Sequence, residues 1–127
     1  MHNSEVSEKA IERYLSKLTQ EAGGLSLKYS NATQTGYPDR ILMFPNGHQI
    51  WVEVKGRGEV PTLKQIRRIK ELRRVGQIAT VCDSRQTAER IVKLMAHTPV
   101  LARCEWGEVE PDEPNGKPKA EPQIFWR

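Results

Sequence analysis

Asp39, Glu53 and Lys55 are the residues of this 127-residue chain whose types and spacing can do chemistry. Pro38-Asp39 is followed, after thirteen residues that contain a turn, by Glu53-Val54-Lys55 at the end of a strand-like run. Hard divalent cations such as Mg²⁺ or Mn²⁺ prefer carboxylate, carbonyl and water oxygens. Asp39, Glu53 and the backbone carbonyl of Val54 offer three such ligands, with waters completing the octahedron. A water on such a cation is acidified and can attack phosphorus, and the cation offsets the charge that builds there. Lys55 can orient or deprotonate that water, or stabilise the developing charge. Glu8 can hold a second cation or its hydration shell. The structural alternative is that Asp39 caps a strand while Glu53 and Lys55 form a cross-strand ion-pair network.

The chemistry requires one face of one hairpin. Asp39 to Phe44 and His48 to Lys55 read as two strands joined by Pro45-Asn46-Gly47, a type I turn followed by a left-handed glycine. That three-residue loop sets Phe44 opposite His48 and, counting back, Asp39 opposite Glu53. Opposed residues share a face, and so do Glu53 and Lys55, two apart. A two-residue loop would pair Asp39 with Val54 and turn the aspartate away. Ile50, Val52 and Val54 form the apolar opposite face. His48, next to the turn, reads as structural or exposed rather than as a ligand.

Ahead of the hairpin, residues 4–22 read as an amphipathic helix capped by Ser4 or Ser7, with Ile11, Leu15, Leu18 and Ala22 as its apolar stripe. Glu8 falls roughly 50° from the stripe centre and Glu12 roughly 90° from it, so Glu8 leans inward and Glu12 toward solvent. Gly23-Gly24 stops this helix, and Leu25 to Ser30 alternates as a strand. Behind the hairpin, Thr62 caps a helix over 63–75 with Leu63, Ile66, Ile69 and Leu72 as its inner ridge. Its outer surface carries Lys64, Arg67, Arg68 and Arg74, a candidate phosphate-backbone surface. Residues 77–82 read as a buried strand, and Asp83-Ser84 caps a helix over 85–96 with Ala88, Ile91, Val92 and Met95 inward. This order predicts an α/β fold: a central mixed β-sheet flanked by helices.

Residues 105–127 hold six acids and three bases, which leaves 17 bases against 10 acids, a net +7, on residues 1–104. A basic body with an acidic, Pro-rich tail predicts a polyanionic partner, nucleic acid first. The expected division is a domain over 1–104 and a mobile tail over 105–127, with a strand over 100–106 and an apolar Ile124-Phe125-Trp126 end. The 127 residues suit one compact domain. No apolar run approaches the roughly 20 residues of a membrane span, and no secretory leader is evident, so no membrane partner and an intracellular location are expected. Cys82 and Cys104 lack metal-ligand spacing and read as thiols rather than a disulfide.

Pro38-Asp39 and Glu53-Val54-Lys55 resemble the two halves of the PD-(D/E)XK nuclease motif. Glu8-x-x-Ile11-Glu12, Gly36-x-Pro38-Asp39-Arg40, Glu53-Val54-Lys55-Gly56, Gln65 after Leu63, and Gly76 leading to a strand and Asp83-Ser84 resemble, more narrowly, a VRR-NUC domain of the small stand-alone phage type. The resemblance spans residues 5–95. It implies a restriction-endonuclease-like core and a Mg²⁺- or Mn²⁺-dependent, structure-selective DNA endonuclease similar to Holliday-junction resolvases, acting as a homodimer, in the cytoplasm of a bacterial host if phage-encoded. It implies Asp39 and Glu53 as metal ligands, Lys55 as the catalytic lysine, Glu8 as the first-helix glutamate with Glu12 as the weaker alternative, and Gln65 as the glutamine after the motif. Lys28, Arg40 and Arg57 join Lys64, Arg67 and Arg68 as candidate phosphate contacts. A non-cleaving nucleic-acid-binding module and a restriction-type duplex endonuclease are the alternatives.

Overall fold

A computed structural model describes residues 7–100 and the backbone of 104–106 and 124–126. The elements run α1 (Glu8–Glu21), β1 (Leu25–Lys28), β2 (Arg40–Met43), β3 (Gln49–Val54), α2 (Leu63–Arg74), β4 (Ala79–Cys82), α3 (Arg85–His97), β5 (Cys104–Trp106) and β6 (Ile124–Trp126). The main sheet has the order β1-β2-β3-β4. β1, β2 and β3 are antiparallel and β4 joins β3 in parallel, so the sheet is mixed, as the element order predicts.

Alternation along β3 divides the molecule into layers. Ile50, Val52 and Val54 are buried on one face against Ile11 and Leu15 of α1 and Ala88, Ile91, Val92 and Met95 of α3. On the other face Trp51 packs with Tyr37 and Val81 against Ile69, Leu72 and Ala79. α1 and α3 therefore cover one side of the sheet and α2 the other. Burying a valine such as Val52 contributes about 1.5–3 kcal/mol, so this strand anchors both cores.

The predicted hairpin turn forms. Gly47 N donates to Phe44 O at 3.0 Å, and Phe44 N donates to His48 O at 2.9 Å. Gly47 takes φ +87°, the left-handed conformation that a side chain would strain. The ladder pairs Arg40 with Val52 and Met43 with Gln49, the register that the three-residue loop demands. Asn46 is nearly buried, and its Nδ2 donates to Met95 O at 2.7 Å and Thr98 O at 2.9 Å. The turn thereby binds the last carbonyls of α3, a link between hairpin and helix that the sequence pattern does not announce.

α1 starts at Glu8 with Ser7, one of the two expected residues, as its cap, and residues 1–6, including Ser4, lie outside the described residues. Three other expectations need correction. Leu63 is 72% exposed, because it is the first residue of α2 and precedes the turn that reaches the sheet. β1 ends at Lys28 rather than Ser30, and its Leu25 and Leu27 are exposed at the sheet edge on the face that carries Trp51. β4 begins at Ala79 rather than 77, because Gln77 N is taken by Leu72 O in closing α2. Cys82 is a free, buried thiol, and burial pushes its pKa up to about 11. The chain end pairs with this chain: β6 forms an antiparallel ladder with β5, Cys104 opposite Trp126. The predicted tail over 107–122 falls outside the described residues.

Candidate active site

Asp39 sits one residue before β2, and the register that pairs Arg40 with Val52 sets it opposite Glu53. Pro38 is buried, and the Asp39 carbonyl accepts from Tyr29 N at 2.8 Å, which pins the aspartate backbone to the end of β1. Its Oδ1 is buried without a hydrogen-bond partner among the described residues. Burial raises its pKa, and the Val54 backbone amide pulls the other way.

Glu53 is 5% exposed. Its Oε1 accepts from Gln65 Nε2 at 3.0 Å, and Lys55 Nζ lies 3.6 Å from the same oxygen. Burial, then the charge of Asp39, push its pKa from 4.5 up to about 7, against the opposing pull of Lys55. Lys55 is fixed from behind, since its amide donates to Cys82 O of β4 at 2.9 Å.

Two helix starts meet this sheet end. At α2, Thr62 Oγ1 accepts from Gln65 N at 3.2 Å, and Gln65 Oε1 accepts from Thr62 N at 2.9 Å, a reciprocal cap. The same Gln65 side chain spends its amide on Glu53. At α1, the Glu8 backbone nitrogen packs beside Gly56, where an added Cβ would come within 3.3 Å. Glu8 has its pKa raised chiefly by burial, and it senses Lys55, Glu59 and Asp39. Glu8, Asp39, Glu53 and Lys55 thus form one electrostatic cluster.

Glu12 stands differently from the helical-wheel expectation. It does not point to open solvent: Arg40 Nε and Nη2 meet its Oε1 at 2.7 and 2.6 Å, with both side chains about one-fifth exposed. The wheel placed Glu12 relative to its own helix and could not see a cation presented by β2. Among the other cations singled out, Arg68 stacks over Tyr37 at 4.5 Å and bonds Thr35 O, Tyr37 Oη and Glu71. Lys64 Nζ donates to Thr35 Oγ1. Lys28, Arg57 and Arg67 are exposed. Glu59, which the sequence reading did not single out, is close enough to raise the pKa of Glu8. Spacing offers no signal for it, because the turn with Glu59 N on Gly56 O brings it back toward α1.

The donor set fits a hard divalent cation. An orphaned buried carboxylate oxygen on Asp39, facing a glutamate held partly protonated by burial and repulsion, marks a place short of positive charge. Among the described residues no group of three or more His, Cys, Asp and Glu side chains is arranged to hold a metal ion. Asp39 and Glu53, two of the expected ligands, meet at this sheet end.

No family model matches the chain. It is 37% identical over 79 residues to the candidate nuclease p44 of Acyrthosiphon pisum secondary endosymbiont phage 1, covering 62% of this chain and 85% of that protein. Among solved structures it resembles a VRR_NUC domain, with a TM-score of 0.64 and 26% identity over 68% of this chain and 94% of the other.

Proposed function

The chain belongs to the VRR-NUC nuclease family, with a restriction-endonuclease-like core, and we propose that it is a Mg²⁺- or Mn²⁺-dependent DNA endonuclease acting on branched DNA, four-way junctions above all, as a homodimer. The observation that carries this reading is the buried, unpartnered Asp39 oxygen, with Asp39 set opposite Glu53, whose Oε1 lies 3.6 Å from Lys55 Nζ. A bound divalent cation would acidify a water and offset charge on the transferred phosphate.

The residues then divide the work. Asp39, Glu53 and the Val54 carbonyl would hold the cation, with Glu53 in its ionised form. Gln65 fixes the Glu53 carboxylate through a helix cap that cannot rotate freely. Lys55 directs its ammonium at the phosphate oxygens. Glu8 adds a further acceptor from α1, and Glu12, committed to Arg40, holds the β2 start. Lys28, Arg57, Lys64 and Arg67 contact phosphates, while Arg40 and Arg68 shape the surface through their own pairs. Junction resolution needs two cuts, and the described residues of one chain form one such cluster, so a two-fold dimer would supply the second. If the chain is phage-encoded, its setting is a bacterial host's cytoplasm. No helix among the described residues is long and apolar enough to cross a membrane.

The test incubates labelled four-way junction, duplex and single strand with Mg²⁺, Mn²⁺ or EDTA, with light scattering of the free and junction-bound protein. Paired junction cuts that disappear in EDTA and in Asp39→Ala or Lys55→Ala, with binding retained, support the proposal. Binding without cutting under either metal overturns it in favour of a binding module. Cutting of plain duplex at one short sequence favours a restriction-type enzyme, and a strict monomer on the junction removes the paired-cut mechanism.

A further inference from the structure

Beside the carboxylate cluster lies a second feature, a groove of about 530 Å³ between α1 and β1, lined by Lys9, Glu12, Arg13, Ser16, Lys17, Gln20, Ser26, Lys28 and Arg40. Its sequence basis is simple. Lys9, Arg13 and Lys17 recur every four residues and form one row along the exposed side of α1. Lys28 comes from β1, directly opposite Arg40 in the ladder, and both lie on the sheet face toward α1. Glu12 is the one acid among the lining residues, and Arg40 neutralises it at 2.6 Å. Lys17 meets Glu21 at 3.9 Å in an exposed pair of little strength. Ser16 Oγ and Ser26 Oγ share a hydrogen bond at 2.8 Å that closes the floor with polar atoms.

We propose that this groove seats the phosphodiester backbone of the DNA that is cut at Asp39 and Glu53, with Lys9, Arg13, Lys17 and Lys28 as its phosphate contacts. This rests on the nuclease assignment and deepens it. Successive members of the α1 row are about 6 Å apart along the axis, so the row presents one cation per helical turn along the groove. The groove adjoins the reactive cluster at the start of β2 and the first turns of α1. Asp39 faces the cluster, and Arg40, the next residue, faces the groove. Glu8 belongs to the cluster, and Glu12, one turn on, belongs to the groove and is felt by both Glu8 and Asp39. Every residue that lines the groove is polar or charged, which suits a solvated backbone.

The experiment measures binding of a fluorescein-labelled four-way junction and of linear duplex in EDTA across a salt series. It compares the wild-type chain with Lys9→Gln/Arg13→Gln/Lys28→Gln and with Lys70→Gln/Arg90→Gln/Lys93→Gln, which removes equal charge from exposed positions elsewhere. The groove variant should bind at least tenfold more weakly, with the slope of log K against log salt flattened by about 0.9 per lost contact, or nearly 3. A Lys9→Arg/Lys28→Arg variant should bind like wild type. A groove variant that matches the control set, while the wild type binds and cuts DNA, overturns the groove and leaves the nuclease assignment standing. A wild-type chain that binds no DNA overturns both.

Discussion

Gln65 Nε2 donates to Glu53 Oε1 at 3.0 Å while Gln65 Oε1 accepts the Thr62 amide at 2.9 Å. One side chain thus closes the cap of α2 and orients the carboxylate at the end of β3. The two duties can be separated. Thr62→Ala removes half of the cap and should cost about 1 kcal/mol of stability while leaving cutting near wild type. Gln65→Leu removes both, and should lower cutting and Mn²⁺ affinity by about 10–100-fold at a similar loss of stability. Equal activities for the two variants would show that the contact with Glu53 does not position the site.

The pH dependence of stability follows from Glu53. Its native pKa of about 7 lies above its ordinary 4.5, so between those values the folded chain holds a proton that the unfolded chain has released. Stability conferred by that protonated form is full below about pH 4.5 and is lost as pH rises toward 7. Asp39 and Glu8, both raised by burial, act in the same direction. The full Glu53 shift is worth about 3 kcal/mol. Urea unfolding at about pH 5 and about pH 8 should show a much smaller decline in Glu53→Gln than in wild type. Superimposable profiles would refute the raised pKa.

A divalent cation should reverse that decline. By occupying the space between Asp39 and Glu53 it would favour both ionised carboxylates, so Mg²⁺ or Mn²⁺ should raise the unfolding temperature more at about pH 8 than at about pH 5. Asp39→Ala should abolish the response. A cation effect of equal size in Asp39→Ala would place the binding elsewhere.

Asn46 offers a structural test remote from the carboxylates. Its amide satisfies Met95 O and Thr98 O, and its Oδ1 accepts from His48 N at 3.2 Å. Asn46→Ala leaves buried carbonyls unpartnered and should cost about 1–3 kcal/mol, read from denaturant midpoints. Asn46→Asp keeps the acceptor and loses the donors, so it should be nearly as damaging. A neutral Asn46→Asp would mean that the link to α3 contributes little.

Sequence by itself determined the hairpin and therefore the core of the site. Pro45-Asn46-Gly47 is a three-residue loop by local turn chemistry, and with a side-chain period of two that loop length alone puts Asp39 and Glu53 on one face. The layered α/β order and the inward faces of β3 and α3 were legible for the same reason, because each depends on spacing within one element. Tertiary structure decided whatever depends on two elements meeting. Glu12 lost its solvent position to Arg40, Arg68 was drawn onto Tyr37, and Asn46 was drawn to the end of α3. The local wheel also misjudged Leu63, since it carries no information on where a helix first touches the sheet. The pairing of Gln65 with Glu53 belongs to this second class: a capping pattern announces the helix start, but only the packing of α2 on the sheet brings its glutamine to the carboxylate.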